Sequence, residues 1–214
     1  MKVLITGGGT QTPLDQMRFI GNKSSGRTAI TLAEKYVAEH EVHLFLATGI
    51  NLPIDLEVKV KYFTTSYDLI DLIKNSKAEN FDLIIHAAAV NDYEVASIGT
   101  ADKNFSSTKI PSGLAELQIK LKPAPKVINM IKDIHPTAAL IGFKLSGEIS
   151  QQEINTSVKR VMEHAKTQGI VQNNILERQR GEDKFTLYDQ TLNYEVIQGI
   201  DHLSARILSL GARV

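Results

Sequence analysis

Two short stretches near the start of the chain carry groups suited to holding an anion. "ITGGGTQTP" puts Gly7, Gly8, Gly9 and Thr10 where an apolar run ends, and "NKSSG" puts Ser24, Ser25 and Gly26 just ahead of a helical pattern. Glycines let a backbone approach a phosphate closely, and successive N–H groups in such a turn can cradle its oxygens. A helix start adds unpaired N–H groups and the positive end of the helix dipole. Between the two run Pro13, Asp15, Arg18, Asn22 and Lys23, which place polar groups on a loop rather than in a core. Together they could form two walls of one anionic pocket, large enough for a triphosphate. Taken singly, each has a plainer explanation: a tight turn, a serine cap, a surface ion pair at Arg18.

The elements that must position these groups alternate in type. "KVLIT" reads as a buried parallel strand, "RTAITLAEKYVAEH" as a helix, "EVHLFLATG" and "VKVKYF" as strands, and "SYDLIDLIKNS" as a helix that Ser66 can cap. "FDLIIHAAAV" is the most apolar strand and the expected sheet centre. "AALIGFKL" and "IVQNN" are later strands, separated by a helix over "SQQEINTSVKRVMEHAKTQG" that ends at Gly169. "KFTLYD" and "LNYEVI" read as a C-terminal hairpin and "IDHLSARILSLGARV" as a closing helix. This order predicts an α/β fold: a Rossmann-like, doubly wound, mostly parallel sheet with helices on both faces. The chain reads as one domain over 1–214, with a Ser-, Gly-, Pro- and Lys-rich insert at about 94–122 containing one alternating strand, "ELQIKLK".

A redox dinucleotide site fits poorly. The G-x-G-x-x-G fingerprint needs a third glycine where Thr12-Pro13 stands, and the second strand ends Leu46-Ala47-Thr48-Gly49 without the acid that holds a ribose. The Tyr-x-x-x-Lys pair of short-chain oxidoreductases is also missing, because Ser97 stands in the lysine position after Tyr93.

Composition narrows the classes further. The 214 residues carry 24 Lys and Arg against 24 Asp and Glu, so nucleic acid is not the expected partner. There is no Cys, which removes thiolate metal sites and cysteine nucleophiles. No apolar run approaches a membrane span, and Met1 leads straight into a strand, so a cytoplasmic protein with no membrane partner is expected.

"ITGGGTQTPLDQMRFIGNKSSG" resembles the signature of the phosphopantothenate–cysteine ligase (phosphopantothenoylcysteine synthetase) family. "HAAAVNDY", the lysine of "KIPS", "GFKL" and "IVQNN" are similar to its later motifs, in order along nearly the whole chain. The resemblance implies joining of 4′-phosphopantothenate to L-cysteine through an acyl-nucleotidylate, with CTP favoured over ATP as the nucleoside triphosphate and Mg2+ accompanying it. Because Met1 begins at the ligase strand, the likeness is to the stand-alone bacterial form, with a separate phosphopantothenoylcysteine decarboxylase as a partner and a homodimer paired through the insert.

Residue by residue, the resemblance implies that Asn22 holds the acyl-nucleotidylate, that Arg18 belongs to the same loop, and that Lys109 is a flap lysine reaching the phosphates. Gly7, Gly8, Gly9, Thr10, Ser24, Ser25 and Gly26 would line the phosphates. Ala88 and Ala89 would keep a strand end slim, Asp92 would hold the magnesium–triphosphate or a ribose hydroxyl, Phe143 and Lys144 would border the base, and Asn173 and Asn174 would add polar contacts near it. After Lys109 come Ile110-Pro111-Ser112 rather than further lysines, so the flap carries less charge than the family's. A nucleotide-binding module without turnover, and an NAD(P)-dependent oxidoreductase, are the readings from other classes.

Overall fold

The computed structural model describes residues 1–105 and 109–212. Its strands are β1 (Lys2–Gly7), β2 (Gln11–Pro13), β3 (Phe19–Gly21), β4 (Glu41–Ala47), β5 (Lys59–Phe63), β6 (Leu83–His86), β7 (Tyr93–Gly99), β8 (Gln118–Pro123), β9 (Ala139–Ser146), β10 (Gly169–Asn174), β11 (Lys184–Asp189) and β12 (Tyr194–Gln198). The helices are α1 (Arg27–Tyr36), α2 (Ser66–Asn75), α3 (Val127–Ile134), α4 (Gln151–Ala165), α5 (Ile175–Gln179) and α6 (Ile200–Gly211).

Eight strands form one sheet in the order β12-β11-β10-β9-β6-β1-β4-β5. From β10 to β5 all neighbours are parallel, and β11 and β12 close one edge as an antiparallel hairpin. The parallel strands follow the Rossmann-like doubly wound order, in which the chain reverses direction across the sheet between β1 and β6.

Side-chain alternation assigns the two faces. Val3, Ile5, Leu44, Leu46, Leu83, Ile85, Ala139 and Ile141 pack under α1 and α6, with Leu32, Ala33, Leu203 and Ile207. Leu4, Phe45, Ile84 and Leu140 pack the opposite way, against Leu69, Ile73, Val127 and Ile131 of α2 and α3. Strands buried on both faces read as continuous apolar runs, which is why β1, β4, β6 and β9 are visible in the sequence.

Two boundaries and several elements differ from the sequence reading. The cap of α2 is Thr65, whose side chain accepts from the Asp68 N–H in a capping box, while Ser66 is buried inside the first turn. Helix α4 ends at Ala165 with Lys166 left-handed, and Gly169 opens β10 instead. The stretch before Asn22 is the hairpin β2–β3, and the insert is the antiparallel pair β7–β8. Helix α3, after Pro125, carries no polar cap and was absent from the expected elements.

Candidate functional site

A cleft opens at the carboxyl ends of the parallel strands, where the strand order reverses. Ala87–Ala89 continue from β6, Phe143–Leu145 belong to the end of β9, Asn173 to the end of β10, and Lys23–Ala29 to the approach and first turn of α1. With Arg178 of α5 they enclose about 270 Å³. Ligands of such sheets bind in this crevice. The lining contains Lys23, Arg27, Lys144 and Arg178 and no carboxylate. Four cations converging without an acid favour an anionic occupant.

The strand end beneath the cleft is held by a chain of hydrogen bonds. The Ala87 N–H donates to Thr6 O (3.1 Å) and the Ala89 N–H to Gly8 O (2.8 Å). The Thr6 hydroxyl accepts from the Ala88 N–H (3.3 Å) and lies 2.9 Å from His86 Nδ1. His86 is fully enclosed, and burial pushes its pKa down to about 4, so the ring is neutral near pH 7. Its position inside an apolar strand gave no sign of this in the sequence.

Asn22 is exposed at the edge of the cleft, and its amide Nδ2 donates to Ala89 O (3.1 Å). The same carbonyl accepts the Thr10 N–H at 3.1 Å. Gly9 permits this approach, since a Cβ there would fall 2.3 Å from the Asn22 carbonyl oxygen. Buried Asn91 stitches the β2–β3 hairpin to the same strand end: its N–H donates to Thr10 Oγ1 (2.9 Å) and its Nδ2 to Thr12 Oγ1 (2.8 Å).

Asp15 and Arg18 form a clamp rather than part of the cleft. The fully buried Asp15 carboxylate accepts from the N–H groups of Met17 (2.9 Å), Arg18 (2.8 Å) and Ile110 (3.0 Å), and from the Arg18 guanidinium (2.6 Å). Arg18 Nη2 also donates to Ile110 O at 3.0 Å, so both polar atoms of one peptide segment are gripped. The Arg18 side chain, then the backbone donors, hold the Asp15 carboxyl well below the usual carboxylate range. Lys109, next to the gripped Ile110, is itself exposed.

The structure brings Ser24, Ser25, Gly26, Ala88, Ala89, Phe143, Lys144 and Asn173 together in the cleft. Gly7, Gly8, Gly9 and Thr10 do not line it. Gly7 packs where a Cβ would meet Ala29 Cβ at 2.3 Å, and Thr10 is fully buried with its N–H and hydroxyl both engaged. The first turn therefore seats the start of α1 and the Asn22 loop, and the second carries the wall. Asn174 lies outside the lining, and its Oδ1 accepts from the Leu176 N–H (2.8 Å) and caps α5. Asp92 is exposed, pairs with Lys126 and lies outside the lining. Arg178, reached through that capped turn, had no motif to reveal it.

Among the described residues, the one cluster of metal-ligating side chains, Glu41, His43 and Glu79, is at the opposite end of the sheet. Lys2 (3.2 Å from Glu79) and Lys59 (2.6 Å from Glu41) already neutralise it. No helix among the described residues is long and apolar enough to cross a membrane.

Residues 1–201 match the family described as "DNA/pantothenate metabolism flavoprotein C-terminal domain". The chain is 31% identical over 196 residues to the coenzyme A biosynthesis bifunctional protein CoaBC of Methanocaldococcus jannaschii, covering 91% of this chain and 45% of that protein. It thus spans less than half the length of such curated relatives. Among solved structures, the DNA/pantothenate metabolism flavoprotein from Streptococcus pneumoniae superposes with a TM-score of 0.86 at 22% identity, over 98% of this chain and 97% of that one. A Cab2 mutant in complex with phosphopantothenate-cysteine superposes with a TM-score of 0.77 at 17% identity, over 99% and 86% of the two chains.

Proposed function

This chain belongs to the DNA/pantothenate metabolism flavoprotein C-terminal domain family, and from that premise we propose that it is a carbon–nitrogen ligase of coenzyme A biosynthesis. In this reading it joins the carboxylate of 4′-phosphopantothenate to the amine of L-cysteine. The carboxylate oxygen attacks the α-phosphate of a nucleoside triphosphate, pyrophosphate leaves, and the cysteine amine then displaces the nucleotide from the acyl carbon. Activation is needed because a carboxylate is a poor electrophile. Both transition states gather negative charge that preorganised donors stabilise.

The observation that carries the reading is the acid-free, four-cation cleft at the sheet's crossover, with the Asn22 amide fixed at its edge. A neutral amide suits the acyl-nucleotidylate, since it can donate to a developing oxyanion without titrating. Lys109, on the segment gripped by Asp15 and Arg18, supplies a mobile charge to the separating phosphates. Arg18 acts through that grip. CTP is the preferred nucleotide and the intermediate an acyl-cytidylate, with CMP the second product. Mg2+ enters bound to the nucleotide, because the cleft offers it no carboxylate.

The exposed apolar residues Phe19 of β3, Tyr93 of β7 and Leu121 of β8 lie on paired or adjoining elements of the small sheets and form the homodimer surface in this reading. The product is then the substrate of a decarboxylation. A pyrophosphate-release assay tests the whole: release that requires cysteine, phosphopantothenate and CTP together is expected. Tight nucleotide binding with no release under any combination means a binding module instead.

A further inference from the structure

We infer that Arg178 grips the phosphoanhydride tail of the anion this cleft takes, an assignment that rests on the cleft being a nucleotide site. The four cations lining the cleft are not in equivalent settings. Lys23 is exposed, Arg27 is exposed and lies 3.6 Å from Asp183, and Lys144 is partly buried but a flexible ammonium rather than a planar fork. Arg178 is partly buried, and its Nη2 donates to a neutral partner, Thr28 Oγ1 in the first turn of α1, at 3.2 Å. No carboxylate among the described residues pairs with it. The nearest carboxylate along its own helix, Glu177, is taken by Lys184 at 2.5 Å.

A cation removed from water is ordinarily matched by an opposite charge. Here the mismatch is compounded. Burial first, and then the charge of Arg27, weaken the hold of Arg178 on its proton, and only Asp183 works the other way. Asp183, paired with Arg27, offsets part of the repulsion between the two guanidinium groups, and a bound anion would offset more. A phosphate is well suited to that place, because the planar fork of a guanidinium matches its oxygens and the α1 start adds N–H donors.

A second, independent feature of the cleft also awaits a ligand. Asn173 is 9% exposed and lines the cavity, and its Oδ1 is buried without a hydrogen-bond partner. A buried polar atom left unpaired is costly, and this acceptor needs a donor, which a hydroxyl or amino group of a nucleoside in the cleft would supply and a phosphate would not. Arg178 and Asn173 are also linked through the chain. Asn173 is the penultimate residue of β10, and Asn174, its neighbour, caps the short helix that carries Arg178.

The test compares wild type with Arg178→Gln by calorimetric titration of CTP and of inorganic tripolyphosphate at two salt concentrations. Glutamine keeps a polar end on a shorter stem but carries no charge. Affinity for both probes is expected to fall by about tenfold to a hundredfold, with a shallower salt dependence, at an unchanged unliganded thermal midpoint. Should that variant fail to fold, Arg178→Met keeps the apolar stem and is read in the same way. Tripolyphosphate affinity within about twofold of wild type in the folded variant overturns the assignment. Lost tripolyphosphate binding in a protein whose wild type releases no pyrophosphate keeps Arg178 as the anion grip and sinks the ligase reading. Undiminished binding in a protein that does turn over has the reverse meaning.

Discussion

The two ends of the parallel sheet are built from similar residues and arranged to opposite effect. At the amino end, Glu41, His43 and Glu79 meet Lys2 and Lys59, and each charge has a partner within the protein. At the carboxyl end, Lys23, Arg27, Lys144 and Arg178 surround a cavity with no acid in its lining and an amide oxygen without a donor. The amino-end cluster holds strand ends together and needs nothing added. The carboxyl-end cluster is incomplete as it stands. Convergent charge therefore marks a site only where the chain fails to balance it.

The largest expected effect is at Lys109. Lys109→Ala should keep nucleotide affinity and lose about a hundredfold or more in turnover, read by pyrophosphate release alongside titration. A wild-type rate in that variant removes the flap from the chemistry. Next comes the clamp behind it. Asp15→Asn breaks an ion pair and loosens the grip on Ile110, so turnover should fall about tenfold or more with nucleotide affinity retained. In a Lys109→Ala background the same change should add little. Additive losses would mean that Asp15 acts elsewhere.

The two ends should also differ in acid. His86 is depressed from 6.5 to about 4, so the folded state binds its proton less readily than the unfolded one. That contribution is complete above pH 6.5 and is lost as pH falls toward 4. Glu41 is depressed from 4.5 to about 2, chiefly by its hydrogen bond with Lys59, so its contribution is lost only between those values. Hydrogen exchange followed from pH 7 to pH 3 should show the Ala87–Ala89 strand end loosening before the Lys2–Glu41 edge; the reverse order would break the comparison. The smallest effect belongs to Lys59→Ala, which should leave turnover and nucleotide affinity within about twofold, as exposed ion pairs contribute little. Zinc should not raise the thermal midpoint. If it does, the amino end is a metal site after all.

Much of this was legible in the residues because β1, β4, β6, β9 and β10 are buried on both faces and read as apolar runs. Ser24–Gly26, Ala88, Ala89, Phe143, Lys144 and Asn173 are expected near one another from motif and position, and the fold brings them to one cavity. What escaped depends on contacts distant in sequence. Thr10 turns inward because Asn91, on another strand end, donates to it. Arg18 is drawn from the site by Asp15 and by Ile110, a residue far along the chain. Arg178 stands alone after a strand, and an isolated arginine has no spacing to betray it. Helix α3 follows "KPAPK" with apolar residues at Val127, Ile128, Ile131 and Ile134, a helical period that the prolines before it disguised.

Gly9, outside the cleft lining, sets the placement of Asn22. A single methyl group there would collide with the main chain of Asn22 and drive that loop outward, while the strands behind it stayed paired. Loss of the amide's placement would then look, in an activity screen, like damage to the substrate pocket. With a bulkier residue at this point the loop would need a different path, and the amide an orientation not set by the Ala89 carbonyl.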